Sequence, residues 1–331
     1  MCMQYTIELV LFLDAEKFNR LLSRVHGNLE YIDSNKFVDQ TLFSKGITIT
    51  YHDRQYKKKV QFTVNSNAIL DDEEPNENNS DKLVRKLKKR IDGYFNSKYT
   101  LDDLNLTGMS LITHINVRNR EKTAAYIKVL QRVGKVKGFS PAMENWFNDD
   151  ICFWLEGNSN GIEFMVCDLE SLLSEQSRET NSENSKELKR LAKKAEGLLR
   201  TEVKLIKPKA IRDYTDENVT SNQIADLSGK GQKIFLDTFM RVVPFGDFYK
   251  KDRTVEIIRE NVADMKIRQR MLRLLSLVPE KKSLLLAQKA LAYRKIDEVM
   301  DSFAIINLSP VTLSKRHDVK YLKNLYSYFE N

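Results

Sequence analysis

Apolar and polar residues alternate along several short segments of the chain, beginning with Tyr5–Leu13. Successive side chains of a strand point to opposite faces, so this alternation predicts a strand with one buried face. The other predicted strands are Gly46–Tyr51, Lys59–Asn65, Asn105–Val117, Ile151–Glu156, Gly161–Asp168 and Leu198–Ile206.

Segments with apolar residues at helical spacing lie between these strands. Asp14 is a predicted N-cap for a helix over Ala15–His26, whose apolar stripe includes Phe18 and Leu21. The other helices predicted in the front half are Asp81–Phe95, Glu121–Val133 and Lys186–Glu196. Asp71–Ser80 and Ser174–Ser185 are polar and are predicted to be loops.

The order of these elements repeats. Residues 84–95 (VRKLKKRIDGYF) align with residues 188–199 (LKRLAKKAEGLL) at an offset of 104, and Gly46–Tyr51 aligns with Asp150–Leu155 at the same offset. Two lysine-rich amphipathic helices can also look alike without a common origin. A shared offset over four elements favours a tandem βαββα duplication. The predicted fold class is therefore α+β, with one antiparallel sheet carrying helices on one face, followed by an all-helical C-terminal domain.

After Pro208 the pattern becomes helical, with predicted helices at Gln232–Val242, Arg253–Asn261, Met265–Leu277, Lys281–Tyr293, Lys295–Ile305, a short helix capped by Ser309 or Thr312 and running through Lys315, and Val319–Tyr328. The last two are basic, which is typical of a helix-turn-helix; a plain helical bundle is the alternative. The candidate phosphate contacts are Lys315, Arg316, Lys320 and Lys323. The predicted units are 1–98, the first α/β repeat; 99–207, the second; and 208–331, the basic helical domain.

Strand alternation also predicts a polar side of the sheet. It carries Ser110, His114 and Asn116 with Arg118 just beyond them, then Glu163 and Cys167, then Arg200, Glu202 and Lys204; in the first half it carries Glu8, Thr48, Thr50, His52, Gln61, Thr63 and Asn65. An extended ligand such as DNA could lie along this surface.

Charge is unevenly distributed over the 331 residues. The net charge is +8, and residues 232–331 hold 19 basic and 12 acidic residues, whereas residues 1–231 hold 35 and 34. A basic unit appended to a near-neutral one suggests a polyanionic partner, and a solvated helical surface is the alternative.

Three cysteines, Cys2, Cys152 and Cys167, include no CxxC pair. This spacing argues against a disulfide framework or a zinc finger, and it predicts a reducing, cytoplasmic setting. No segment reaches the length of apolar sequence that a membrane span needs, and the first thirteen residues lack a basic region and a cleavage site, so no membrane association is predicted.

The common nucleotide-binding, zinc-protease and serine-hydrolase motifs are missing from the sequence. The four histidines, His26, His52, His114 and His317, are scattered. His114 differs in lying on the polar side of a central predicted strand, which makes it a candidate metal ligand.

Three segments resemble rolling-circle replication initiators and related relaxases of plasmids, filamentous phages and conjugative elements. Residues 197–206 (GLLRTEVKLI) resemble that family's LRxExxL strand, residues 163–172 (EFMVCDLESL) stand where it has a Tyr-Asp/Asn-Lys motif, and residues 106–117 (LTGMSLITHINV) resemble its LTRVDxxxD strand. The resemblance covers roughly residues 100–210.

This resemblance implies a reaction. A tyrosine attacks a DNA phosphodiester and leaves a 5′-phosphotyrosine and a free 3′-OH, while acidic residues bind Mg²⁺ or Mn²⁺. The helical tail would bind origin-like repeats; a host helicase and a second copy of the chain are the other partners to expect.

The positions that match the family carry unexpected residues. Glu202 matches the strand acid and Arg200 the arginine, but the two aspartates fall on Ser110 and His114, and the tyrosine falls on Cys167. The candidate catalytic residues are therefore Glu202, Arg200 and Tyr126, with Tyr214 and Tyr249 as other possible nucleophiles. The candidate metal ligands are Glu202, His114 and Glu163. The candidate DNA contacts in the front half are Lys204 and Arg118.

Three functions are compatible with these features. The first is a DNA-binding replication-initiation or relaxase-like protein of a mobile element, active or degenerate. The second is a non-catalytic DNA-binding regulator or replication accessory protein. The third is a protein-interaction module whose basic tail binds a protein partner. Salt-dependent DNA affinity separates the first two from the third.

Overall fold

Ten antiparallel strands form one sheet in the computed structural model, which describes residues 3–25, 29–55, 57–71, 79–142, 150–179 and 182–329. Its strands are β1 (Met3–Leu13), β2 (Leu29–Asp33), β3 (Lys36–Asp39), β4 (Ile47–Arg54), β5 (Lys57–Asn65), β6 (Asn105–Asn116), β7 (Phe139–Pro141), β8 (Cys152–Gly157), β9 (Ile162–Asp168) and β10 (Leu198–Leu205). A separate small sheet pairs β11 (Phe248–Tyr249) with β12 (Tyr321–Leu322). The predicted α+β class and antiparallel sheet are confirmed.

Helices follow the strands in the front half and dominate the back half. They are α1 (Ala15–Val25), α2 (Ser66–Ile69), α3 (Ser80–Tyr94), α4 (Arg120–Gln131), α5 (Leu169–Glu179), α6 (Ser182–Lys194), α7 (Pro208–Arg212), α8 (Thr220–Val242), α9 (Lys251–Asn261), α10 (Met265–Lys281), α11 (Leu284–Leu291) and α12 (Ile296–Ile305). Several begin at side-chain caps. The Asp14 carboxylate accepts the Lys17 N–H at 2.8 Å, as predicted for α1, and Asn119 caps α4.

The first strands of the two predicted repeats meet at the centre of the sheet. The strand order is β2-β3-β4-β5-β1-β6-β10-β9-β8-β7, so β1 pairs with β6 and each flank continues outward from that pair. Tyr5 lies opposite Leu111, and Thr6 lies opposite Ser110. The outermost strands are β2 and β7, and β7 has three residues and ends on Pro141.

One face of the sheet carries the main hydrophobic core. Ile7, Phe62, Leu111 and Phe164 are fully buried there, and one connected cluster joins them to residues of α1, α3, α4 and α8 and of the back-half helices. Helix α8 lies across this face, where it packs against α3, β6, β9 and β10. The front sheet and the back-half helices therefore share one core.

Helix α8 is held against the central strand β1 by a close approach between the Tyr5 side chain and the helix backbone. The Tyr5 hydroxyl donates to the Ser228 carbonyl at 3.0 Å, and a Cβ built on Gly231 would lie 2.3 Å from that hydroxyl. Glycine at position 231 leaves room for the Tyr5 ring. Gly229 and Gly231 also weaken the helical pattern, which is why the first three turns of α8 were not predicted.

The two halves of the front region differ in two places. Strand β10 lies between β6 and β9, whereas β1 pairs directly with β5. Helix α3 contributes Leu83, Leu87 and Ile91 to the main cluster, but the described residues of α5 and α6 contribute none, and these two helices pack on each other. The predicted loop at Ser174–Ser185 is wrong, because its described residues continue α5 and begin α6. The predicted loop at Asp71–Ser80 falls largely outside the described residues.

The end of the chain is not helical as predicted. Helices α9 to α12 confirm their predictions, but the short helix through Lys315 and the helix Val319–Tyr328 are wrong. This stretch instead runs through turns into β12 and a 3₁₀ turn at Leu325–Tyr328. Leu322 and Leu325 of this stretch are buried in the main core, so tertiary packing overrides the local helical pattern. The helix-turn-helix expected from those two helices is therefore wrong.

Two glycine substitutions should affect stability in opposite directions. Gly231→Ala places a methyl against Tyr5 and should destabilise the protein by about 1–3 kcal/mol, as overpacking does. Gly93→Ala, where a Cβ meets nothing within 4 Å, should stabilise α3 by about 0.5–1 kcal/mol. Urea unfolding of both variants measures the difference. Stabilisation by Gly231→Ala would contradict the packing described for α8.

Candidate nucleic-acid interface

The face of the sheet opposite the core is polar, and cross-strand pairing sorts its residues into rows. One row runs Thr6, Ser110, Lys204, Glu163, Glu156, and a second runs Gln4, Ile112, Glu202, Met165, Trp154. A third places His114 beside Arg200, Cys167 and Cys152. What we call the polar face consists of these strand positions together with Glu8, Val10 and Phe12 of β1, Lys36 of β3, the even-numbered residues of β4 and the odd-numbered residues of β5.

Ion pairs close the centre of the polar face. The Arg200 guanidinium donates to Glu202 Oε2 at 2.7 Å, and Lys204 Nζ lies 2.9 Å from Glu8 Oε1. The side chain of Glu202 is 11% exposed, so its carboxylate depends on Arg200 for compensation. Burial opposes the charge on Lys204, but the hydrogen bond and the charge of Glu8 raise the pKa of its ammonium group. Lys204, a predicted DNA contact, is thus engaged by a carboxylate.

The three candidate metal ligands lie on this face but do not form a ligand cluster. His114 and Glu163 pair with Arg200 and Lys204, on opposite sides of Glu202. Among the described residues no group of three or more histidine, cysteine, aspartate or glutamate side chains could hold a metal ion. Burial, and then the positive charge of Arg200, lower the pKa of His114. Burial raises the pKa of Glu163.

A cluster of positive charge lies at one corner of the polar face, over β3, β4 and β5. Pairing places Lys36 beside His52, His52 beside Lys59, and Arg54 beside Lys57, and we call these five residues the basic corner. Across the described part of the chain, none of the three lysines of this corner forms an ion pair, and its arginine forms none either. Burial and the neighbouring cations, Arg54 first among them, lower the pKa of Lys59.

An exposed aromatic ring borders the basic corner. Phe12 lies opposite Lys59 and is 46% exposed, and Lys57 Nζ lies 4.7 Å from the centre of its ring. Phe12 also lines a cavity of about 340 Å³ with Arg54, Lys57 and Lys59. A ring beside several cations is the combination on which a nucleobase can stack while its phosphate is held.

Cys167 is not available as a nucleophile. It forms a disulfide with Cys152, its direct neighbour across β8 and β9, and is fully buried. The expectation that the cysteines form no disulfide is therefore wrong. Fifteen positions separate the two residues in sequence, and only the register of the β8–β9 hairpin brings them together.

Tyr126, the first candidate nucleophile, lies on the other side of the sheet from Glu202. Tyr126 is fully buried on α4, in the core on the other side of the sheet, and its hydroxyl donates to the Lys323 carbonyl at 2.7 Å. Burial raises the pKa of Tyr126 far above its ordinary value. Tyr249 stacks on Tyr321 in the small sheet, and the Tyr214 carbonyl accepts a hydrogen bond from Lys230. The structure does not bring Tyr126 together with Arg200 and Glu202.

The predicted basic contacts fall in separate places. Lys323 follows β12 beside α4, on the core side of the sheet, and Lys315 is exposed and paired with Asp252 at 3.2 Å. Arg316 and Lys320 are exposed in the same irregular stretch. Arg118 is exposed at the junction of β6 and α4, with a φ of 63°.

The basic corner was missed in the sequence, although a signal was present. Residues 57–59 are three consecutive lysines, and alternation places Lys57 and Lys59 on one side. The other half of the signal, Lys36 on β3, was hidden because β2 and β3 were not predicted.

The chain matches no protein-family model, and no curated protein matches it either. In the described ranges, no helix has both the length and the apolar character that crossing a bilayer requires.

Thiol counting tests the disulfide. Alkylation of the denatured, non-reduced chain should label one of its three cysteines, and reduction should expose all three. The double variant Cys152→Ala, Cys167→Ala should lose up to about 3 kcal/mol of stability, the value for closing a loop of this length. Labelling of three thiols before reduction would contradict the bond.

Protonation of His114 should cost stability. Because its folded pKa lies below the unfolded value of 6.5, its contribution is complete above pH 6.5 and is lost as the pH falls through the folded pKa. His114→Gln should therefore lose less stability than the parent chain when unfolding is measured at pH 7.5 and at pH 5.5. An equal loss of unfolding free energy between the two pH values in both proteins would refute this.

Proposed function

We propose that the protein binds DNA along its polar face, as a replication-initiation or relaxase-like protein of a mobile genetic element. The observation that carries this proposal is the basic corner, whose cations Lys36, Arg54, Lys57 and Lys59 form no ion pair with a described residue and lie next to an exposed Phe12. Phosphate groups are the natural counter-charge for such a cluster.

The size of the surface supports an extended ligand. Ten strands at about 4.8 Å per strand give a sheet roughly 40 Å wide, which can accommodate several nucleotides. Threonines at positions 48, 50, 63 and 6 add hydroxyl groups between the basic corner and the ion-paired centre. A strand of DNA would contact cations at the corner and neutral polar groups beyond it.

The charge pairs at the centre support binding more than cleavage. Glu202 is neutralised by Arg200, Cys167 is bonded to Cys152, and the Tyr126 hydroxyl is hydrogen-bonded on the core side. The proposal therefore concerns DNA recognition, and metal-dependent nicking with Mg²⁺ or Mn²⁺ enters it as a measurable outcome.

We also propose that the sheet arose by duplication. β4 and β5 precede β8 and β9 by about 104 positions, and each pair forms a hairpin in its own flank of the sheet. Under this proposal β10 was added to the second copy. The helix α6 corresponds to α3, but its described residues do not join the main hydrophobic core as those of α3 do.

Polarisation of a fluorescent single-stranded oligonucleotide measures the proposed binding. The variant Lys57→Gln, Lys59→Gln should bind about tenfold more weakly, and its plot of log affinity against log salt should be shallower by about 0.7 for each lost phosphate contact. The matched control Arg85→Gln, Lys88→Gln removes the same charge from α3 and should bind like the parent chain.

Two further measurements sharpen the test. The variant Lys315→Gln, Arg316→Gln asks whether the C-terminal stretch binds instead; a loss there with none at the basic corner would move the site. Supercoiled plasmid with Mn²⁺ then tests cleavage, with a covalent protein–DNA band as evidence of nicking. Affinity that does not weaken with added salt would overturn the proposal.

A further inference from the structure

A second basic surface lies on the helical side of the sheet. α1, α3 and the turn before β4 enclose a groove of about 880 Å³, which we call the α1–α3 groove. Five cations line it, Arg24, Lys45, Lys86, Lys89 and Arg90, and among the described residues that line it none is a carboxylate. The sheet separates this groove from the polar face, so it is independent of the proposed DNA site.

Two acids lie near the groove and partly offset its charge. Asp71 pairs with Lys86 at the rim, and Asp39 lies beneath the floor, fully buried. Asp39 accepts hydrogen bonds from the Tyr94 hydroxyl at 2.7 Å and from the Thr41 N–H at 2.8 Å. Counting described residues alone, the five cations exceed these two acids by three positive charges.

Three of the cations are free to meet a ligand. Arg24, Lys45 and Lys89 are exposed, and none of them forms an ion pair with a described residue. Arg90 is held in place, because its guanidinium donates to the Lys45 carbonyl. Arg24 also lies in the last turn of α1, where a cation offsets the helix dipole. Lys89 of α3 has no such role, because it does not lie in the last turn of its helix.

The floor of the groove combines buried apolar side chains with two tyrosine hydroxyls. Leu21, Leu42 and Tyr51 are almost fully buried, and the Tyr51 and Tyr94 hydroxyls lie 2.6 Å apart. Tyr51 packs edge-on against Phe18 of α1, which holds the floor against that helix. The lining therefore suits a ligand that combines an apolar part with several negative charges.

We propose that the α1–α3 groove binds a nucleoside polyphosphate. The base and sugar lie over Leu21, Leu42 and Val25, and the phosphates contact Arg24, Lys45 and Lys89. The volume is that of ordinary small-molecule sites, and multiple cations suit a polyphosphate better than a single carboxylate.

Isothermal titration with ATP tests the proposal, with inorganic tripolyphosphate as the second probe. ATP should bind more tightly than tripolyphosphate, because only ATP fills the floor. Arg24→Gln, Lys89→Gln should weaken ATP binding by about tenfold for each lost charge-assisted contact. Both side chains are exposed, so the variant should fold, and circular dichroism checks this.

Two other variants make the test specific. Gly93 lines the groove and has open space at its Cβ, so Gly93→Phe should abolish ATP binding while every cation remains. Arg85→Gln, Lys88→Gln and Lys57→Gln, Lys59→Gln should both leave ATP binding unchanged. Equal affinity for tripolyphosphate, equal weakening by the Arg85 and Lys88 control, or no ATP binding would each overturn the proposal.

Discussion

The pairing of β1 with β6 is the constraint on which the rest of the structure depends. It joins two flanks that come from different parts of the chain, and α8 closes over the joint through Tyr5 and Ser228. Because both central strands present their hydrophobic side chains to the same helices, the halves cannot separate without exposing one common core. The polar face is continuous for the same reason.

Burial then divides the polar face into two electrostatic regimes. Near the centre, Glu202 and Glu8 are too enclosed to remain uncompensated, and Arg200 and Lys204 neutralise them. At the basic corner Arg54 and Lys57 are exposed and water can solvate them, whereas Lys36 and Lys59 are half-buried without carboxylate partners among the described residues. A polyanion gains most where it replaces water around unpaired charge, and it gains least where it must break an existing pair.

Much of the sheet could be predicted from the sequence, because β1, β4, β5, β6, β8, β9 and β10 each alternate over enough residues to carry their own signal. The short strands β2, β3 and β7 could not, since two to three alternations are indistinguishable from a loop. The disulfide and the basic corner depend on register, which local pattern does not specify. The sequence pattern did not show that Tyr126 is buried. Its position on α4 faces the core, so a candidate nucleophile chosen by residue type alone is enclosed.

The two edge strands of the sheet bear on whether copies of the chain associate by pairing their strands. A wide sheet with unsatisfied backbone groups along its borders is a template on which another copy can add its own strand. Here β7 is only three residues long and ends on Pro141, which has no N–H to offer, and β2 is five residues long, with Glu30 and Asp33 exposed. Addition of a strand is therefore opposed at the β7 edge, whereas the β2 edge also exposes Tyr31 and Ile32 and relies on its short length and its acidic residues.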